Sequence, residues 1–386
     1  SAITGHGQQG EFIARNHTLT INSGAIVYNN LVWKECADNP VFPQGGTWIY
    51  DRAGWCPGMA TDVSEYDVTS YVAGDSITFD YNVNGATGDS RYIVSEQLVS
   101  YGSANFQNDA KLVTVIRPTN QIEFGRINPM CYNPIITIQN TGSNTLTSAT
   151  IQYSVNGSSP QTQTWTGNLV YMDETNVQLV IPQSFWTAAL PGTNTFTARI
   201  TSVNGGTDQY VHNNTFNSKF ELVDDLPSSL NIVIRTNSNG NHSSYTLRNS
   251  SGATVLSRSG LGNNQTYTNS INLPTGCYQL RLFDTGDDGL SFWANTAGSG
   301  FFRITQQNGA LIKNFEPDFG DGHEYYFTVG RTIGINESEE FSQLEVFPNP
   351  ASDEITIIYE NIKGTYELVN SIGQIVLNGD LNNNNN

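Results

Sequence analysis

Apolar residues alternate with polar ones at period two in many short runs, among them SLNIVIRT (229–236), TFTARI (195–200), YQLRLF (278–283) and EITIIY (354–359). Such a run turns one face of a strand toward a core and the other toward water. Gly- and Asn-rich turns separate the runs, which is the punctuation of antiparallel sandwiches and jelly rolls. No helical period longer than about two turns interrupts them. The pattern predicts an all-β chain with several sandwiches in succession.

The same punctuation divides the chain. A first unit spans 1–118. The second, 126–223, opens on RINPMCYNPIITIQNTGSNTL and continues through ATIQYSVNG, QTWTGNL, VQLVIP and FTARITSVNGGTD, a succession that resembles immunoglobulin-like modules of bacterial surface proteins. DDLPSS (224–229) reads as a linker into a further β-sandwich, 228–330. The acidic stretch RTIGINESEEFSQ (331–343) reads as a second linker, into a short last unit, 342–386.

Charge narrows the partners. Only 13% of the 386 residues are charged, yet the net charge is −18. Such a surface repels phosphate backbones, so no nucleic acid is expected as a partner. No run of about 18 apolar residues appears, so no membrane-spanning segment is predicted. No secretory leader is read at the start, so either one has been removed or the chain begins inside a longer polypeptide, and the second reading is preferred.

Of the four cysteines, Cys36 and Cys56 lie 20 apart in one unit. In an exported protein that spacing predicts a disulfide, which would stabilise the loop it closes by about 3 kcal/mol. Cys131 and Cys277 fall in different units and read as buried free thiols, with a bridge between units as the alternative.

Candidate chemistry concentrates in TWIYDRAGWCPGMATDV (47–63), where Trp48, Tyr50 and Trp55 surround Asp51 and Arg52. A guanidinium among aromatic faces is oriented by stacking and offers a planar fork of donors to a sugar or a carboxylate. Trp48 and Trp55 would be flat walls for pyranose rings. The histidines His6, His17, His212, His242 and His323 form no His-x-His pair, which argues against copper chemistry. No nucleophile-elbow pattern supports a serine hydrolase. In CYQLRLFDTGDDGLSFW (277–293), Asp284, Asp287 and Asp288 are candidate oxygen ligands for a structural Ca²⁺, and Gly286 and Gly289 permit tight bends. Asp318 and Asp321 follow in EPDFGDGHEYYF (316–327). The alternative is a set of Asp/Gly turns that only cap hairpins.

Three blocks of the first unit resemble the second jelly-roll domain of the peptide:N-glycosidase F family. They are ITGHGQQGEFIARNHTLTIN (3–22), WKECADNP leading into GTWIYDRAGWCPGMATDV (33–63), and the pair ITFDYNV and RYIVSEQLVSY. The resemblance implies hydrolysis of the amide between N-acetylglucosamine and asparagine, with no cofactor for catalysis. It places Glu11 at the family's active-site glutamate and Arg52 at an arginine that binds the sugar-linked core, with Trp48, Trp55, His6 and Asp51 around them. It also matches Cys36 and Cys56 to a family disulfide. The chain departs from the family at His6, where a tryptophan is usual, and at Phe12 and Ile13, near which a clamping cysteine pair is absent. The loop from His6 to Glu11 is shorter as well. The family's principal catalytic aspartate belongs to a first jelly roll that is not among these residues. Amide hydrolysis needs a base to activate water and a donor for the departing nitrogen. Activity is therefore expected only with such a domain, and a non-catalytic adhesin or glycan-binding module is the alternative.

The last unit, LEVFPNPASDEITIIYE followed by GTYELVNSIGQIVLNGDL, resembles the C-terminal sorting domain of type IX secretion substrates from Bacteroidetes. Its marks are Pro348-Asn349-Pro350, Ala351-Ser352-Asp353, Ile355, Ile357 and Gly373-Gln374-Ile375-Val376. That resemblance implies the type IX machinery as a partner and a secreted or outer-membrane cell-surface location. The NNNNN end falls before the family's last strands, so the domain reads as incomplete.

Overall fold

The computed structural model describes residues 1–41, 49–72, 74, 76–128, 131–331, 344–347, 354–359, 364–370 and 374–381. The chain divides into two compact units, Ser1–Thr332 and Ile333–Asn386. Both are built of strands. Among the described residues helix is confined to short turns such as Gln8–Glu11, Ile122–Ile127 and Gln183–Ala188. No described helix is long and apolar enough to cross a membrane.

The first sandwich faces a two-stranded sheet with a three-stranded one. Ala2–His6 pairs antiparallel with Arg91–Ser95. Arg15–Ile21 is central between Ala25–Val32 and Phe79–Val83. Period-two patterning turns His17, Leu19 and Ile21 inward. The two layers close over Ile3, Leu19, Tyr28, Val32 and Ala53, with Tyr66, Tyr81 and Tyr92 against them. The jelly-roll expectation corresponds to this two-layer arrangement.

The second sandwich begins earlier than the sequence suggests. Ala110–Arg117, read as the end of the first unit, pairs with Ile135–Asn140, which pairs in turn with Glu174–Gln178. Its inward Ala110, Leu112 and Val115 belong to the second core, which is why it joins that sheet. The facing sheet runs in the order Thr215–Phe220, Asn194–Val203, Leu146–Val155, Gln161–Leu169. In the third sandwich a five-stranded sheet packs on a four-stranded one around Leu230, Ile232, Tyr245, Leu280, Phe302 and Phe327. Part of the expected linker is a strand of it, because Asp224–Leu226 runs parallel to the end of Gly322–Val329.

Cys36 and Cys56 are bonded, with Cα atoms 5.5 Å apart. The free-thiol expectation for Cys131 and Cys277 is corrected, since these two are also bonded across a Cα separation of 5.7 Å. The second and third sandwiches share a packed seam in which Cys277 and Tyr326 lie against the second core and Tyr132 meets Tyr326 at 5.6 Å. A cavity of about 470 Å³ lies beside the bond, lined by residues such as Tyr132, Trp186, Thr328 and Arg331, with no carboxylate or histidine among the described residues of its wall.

The first sandwich is also fastened to the third. Arg126, buried in the turn Ile122–Ile127, donates to the Ala37 carbonyl at 2.6 Å, to Asp321 Oδ1 at 3.0 Å and to the Phe319 carbonyl at 3.3 Å. Its own N–H donates to the Pro40 carbonyl at 2.7 Å. Beside it Ala37, Ile49 and Phe292 form a small apolar cluster.

In the second unit Leu344–Phe347 pairs with Thr356–Tyr359, and Gly364–Val369 pairs with Ile375–Leu381. The Pro348-Asn349-Pro350 turn, Ala351-Ser352-Asp353, Gly373, the terminal asparagines and most of the 331–343 stretch lie outside the described residues.

Candidate functional site

Glu11 ends a one-turn helix that leaves the first strand at Gly7. Asp89 receives the opening of that turn, accepting the N–H of Gln8 at 2.8 Å and of Gln9 at 2.9 Å, and these bonds hold its carboxyl below the usual range. The helix is then tied to the Arg52 segment. Ala53 N–H donates to the Glu11 carbonyl at 2.9 Å, and Gly5 N–H donates to the Ala53 carbonyl at 2.9 Å. Such closeness needs glycine. A Cβ on Gly5 would stand 2.1 Å from the Gly10 carbonyl oxygen. One on Gly54, whose φ is +80°, would stand 2.0 Å from the Ile3 carbonyl oxygen.

These backbone ties bring Glu11 and Arg52 together. Arg52 Nε donates to Glu11 Oε1 at 2.8 Å, and Arg52 Nη1 donates to the Tyr50 carbonyl at 2.8 Å. The guanidinium carbon is 5.2 Å from the Trp55 ring centroid and 5.4 Å from that of Phe12. Trp55 is itself fixed, its Nε1 donating to the Gly5 carbonyl at 3.1 Å. His6 stacks on Trp55 at 6.0 Å with 27° between the planes, and its Nε2 lies 2.9 Å from Thr4 Oγ1. The two charged groups are therefore in direct contact, with no sugar-width gap between them.

Exposure separates their roles. The Arg52 side chain is 3% exposed and that of Glu11 20%, so the guanidinium lies beneath and the carboxylate faces outward. An arginine so placed fixes a carboxylate through a charge-assisted bond and orients what it presents. Asp51 is committed to the loop, its Oδ1 accepting the Cys36 N–H at 3.2 Å. Trp48 lies outside the described residues. The surface thus gathers Glu11, Trp55, His6 and Phe12, with Tyr50 at its edge.

His17, six residues past Glu11, faces the other way. It is buried between Tyr81 and Tyr92, with Nδ1 2.5 Å from the Tyr81 hydroxyl, and burial lowers its pKa to about 4.

The acidic loop is separate chemistry. Asp284 is buried, its Oδ1 accepting Gly286 N–H at 2.8 Å and its Oδ2 accepting Ser243 Oγ–H at 3.2 Å. Asp288 accepts from Asn295. Burial raises Asp284 and Asp318 to about 6 and lifts Asp287, Asp288 and Asp321 in the same direction. Among the described residues no three His, Cys, Asp or Glu side chains converge on one point as metal ligands would.

Phe12, the Tyr50 carbonyl and Arg126 complete the local structure and were not picked out as site residues from the sequence. Phe12 carries a signal in hindsight: it is an apolar residue directly after the glutamate, where a buried guanidinium needs a ring. Arg126 carries none, since its acceptors Ala37, Phe319 and Asp321 are up to 195 positions away.

Residues 1–99 match the family model described as Peptide-N-glycosidase F, C terminal, and residues 345–386 match the Secretion system C-terminal sorting domain. The chain is 32% identical over 110 residues to peptide-N(4)-(N-acetyl-beta-D-glucosaminyl)asparagine amidase F of Elizabethkingia miricola, covering 27% of this chain. It spans only 30% of that relative's length. Solved structures with similarity include a cell-surface protein domain from Methanosarcina acetivorans, 22% identical, with 31% of this chain and 94% of that one covered at a TM-score of 0.23. Another is the CARDB domain of a Pyrococcus furiosus protein solved with di-metal ions, 15% identical, covering 34% of this chain and all of that one (100%) at a TM-score of 0.20. The chain is thus an exported protein whose front resembles the C-terminal domain of peptide:N-glycosidase F and whose type IX sorting tail directs it to the cell surface or beyond.

Proposed function

We propose that the first sandwich binds the N-acetylglucosamine–asparagine junction of N-glycoproteins and serves as the accessory half of an amidase of the peptide:N-glycosidase F type. The observation that carries this reading is the Arg52–Glu11 bond at 2.8 Å, set between the Trp55 and Phe12 rings within the family-matched region. Arg52 holds the Glu11 carboxylate toward solvent. That carboxylate accepts hydrogen bonds from sugar hydroxyls or the linking amide, and Trp55 gives the pyranose an apolar face. Water activation and protonation of the departing nitrogen require groups beyond this pair, which a preceding jelly roll would contribute.

The chain alone is expected to retain a denatured N-glycoprotein, to ignore the same protein after deglycosylation, and to release no glycan. The polypeptide extended by an upstream jelly roll is expected to release it. Equal retention of the glycosylated and deglycosylated forms would refute the reading. Binding by the extended polypeptide without release would favour the second reading, a surface adhesin that keeps the module for attachment. That reading has its own support, because Glu11 already has a strong partner in Arg52.

A further inference from the structure

The surface around Arg52 does not end at the first sandwich. Tyr50, whose carbonyl holds the Arg52 guanidinium, meets Phe292 of the third sandwich edge-on, with ring centroids 5.6 Å apart and 78° between planes. Phe292 is buried, and its ring lies 5.9 Å from that of Trp293. Trp293 is 67% exposed and Tyr50 40%. Two large exposed rings, one from each module, thus adjoin the buried Phe292.

The loop that carries Trp293 is well fixed. Leu290 N–H donates to the Pro317 carbonyl at 2.8 Å, and Gly300 N–H donates to the Leu290 carbonyl at 2.7 Å. Gly289, at φ +66°, lets the loop pass where a Cβ would stand 2.4 Å from the Pro317 carbonyl oxygen. A ring on so constrained a loop needs little ordering when a ligand arrives.

The surroundings select the ligand. Glu35 is held above the ordinary carboxylate range by desolvation and by Asp287, Asp51 and Asp38, so acids of both modules crowd together here. An anion would be repelled, and an apolar protein face would have to strip water from these carboxylates. A neutral polyhydroxyl chain suits both features. Its ring C–H faces lie on the aromatics, and its hydroxyls donate to the carboxylates.

We propose that Trp293 and Tyr50 form an aromatic platform that receives the carbohydrate chain beyond the asparagine-linked sugar, so that the third sandwich supplies a glycan subsite to the first. This rests on the reading of the Arg52 site given above, and it extends that site onto a module outside the family-matched residues 1–99.

Calorimetric titration of the 386-residue protein with two probes tests it: N-acetylglucosaminyl-asparagine, and a neutral oligomannose glycan still attached to asparagine. The oligomannose probe is expected to bind more tightly. Trp293→Ala should weaken it about tenfold and leave the minimal probe unchanged, while Trp293→Tyr keeps most of the affinity. Arg52→Ala should weaken both. Unchanged oligomannose binding in Trp293→Ala would overturn the platform and leave the Arg52 reading standing. Trp293-dependent binding that is insensitive to Arg52→Ala, with no response to the minimal probe, would keep the platform and remove the amidase-type site. Failure of the wild-type chain to bind either probe would remove both.

Discussion

In the second sandwich Ile136, Ile138, Ile151, Val155, Phe196 and Phe220 are fully enclosed, and the two sheets meet along one continuous apolar seam. Among the described residues the first sandwich has the same strand alternation around a smaller cluster, Ile3, Leu19, Tyr28, Val32 and Ala53, beside a buried histidine between tyrosines. What it lacks in apolar burial it replaces with directed links. The Cys36–Cys56 bond, the Arg52–Glu11 pair, the Asp89 cap and the Arg126 contacts each fix one place. A large core is indifferent to which surface groups it carries. A lattice of directed links holds particular groups at particular places, which suits a binding surface.

The largest effect should come from the apolar side of this contrast. Phe196→Ala is expected to destabilise the second sandwich by about 4 kcal/mol, through lost burial plus a cavity. Chemical denaturation measures it, and a loss below about 1 kcal/mol would show that this core is as loosely determined as the first. Next, replacing Cys36 and Cys56 together by serine should cost about 3 kcal/mol. Hydrogen exchange should place that loss in residues of the first sandwich, and a loss spread evenly through Ser1–Thr332 would contradict the claim that the bond substitutes for a local core.

The smallest effect has opposite signs in two regions. His17 has a folded pKa of about 4 against an ordinary 6.5, because burial disfavours its charge. Its contribution is full above 6.5 and is lost as pH falls toward 4, about 2 kcal/mol by pH 5. Asp284 has a folded pKa of about 6 against an ordinary 3.8, so protonation favours the folded state. Its contribution is full below 3.8 and is lost as pH rises through 6. Moving from pH 7 to 5 should thus steady the third sandwich by about 1 kcal/mol from Asp284, with Asp318 acting in the same direction. Exchange rates corrected for intrinsic pH dependence should rise around 15–21 and fall around 278–291. A shift of one sign in both regions would break the contrast.

Much of this was legible along the chain because it is local. Alternation located the strands, for a strand's inward and outward faces are set by its own residues. Family resemblance assigns Glu11 and Arg52 to one site although they are 41 positions apart, but their direct bond was not legible in the sequence. Three readings were lost to distance. Ala110–Arg117 looks like a continuation of the first unit until Ile135–Asn140 pairs with it. Cys131 and Cys277, 146 apart, look unpaired until two sandwiches are seen to share a seam. Trp293 looks like the end of an acidic loop until Phe292 is found against Tyr50.

Arg126 has a practical consequence for anyone who trims this polypeptide. Its guanidinium grips the Ala37 carbonyl on one side and the Phe319 carbonyl and Asp321 carboxylate on the other, so a fragment ending near residue 118 would lack the clasp and its two anchors in the third sandwich. Ile49 and Ala37 would then be uncovered to water, and such a piece would report its own stickiness in place of sugar recognition. Assays of the front module belong in a polypeptide that runs at least to Gly330.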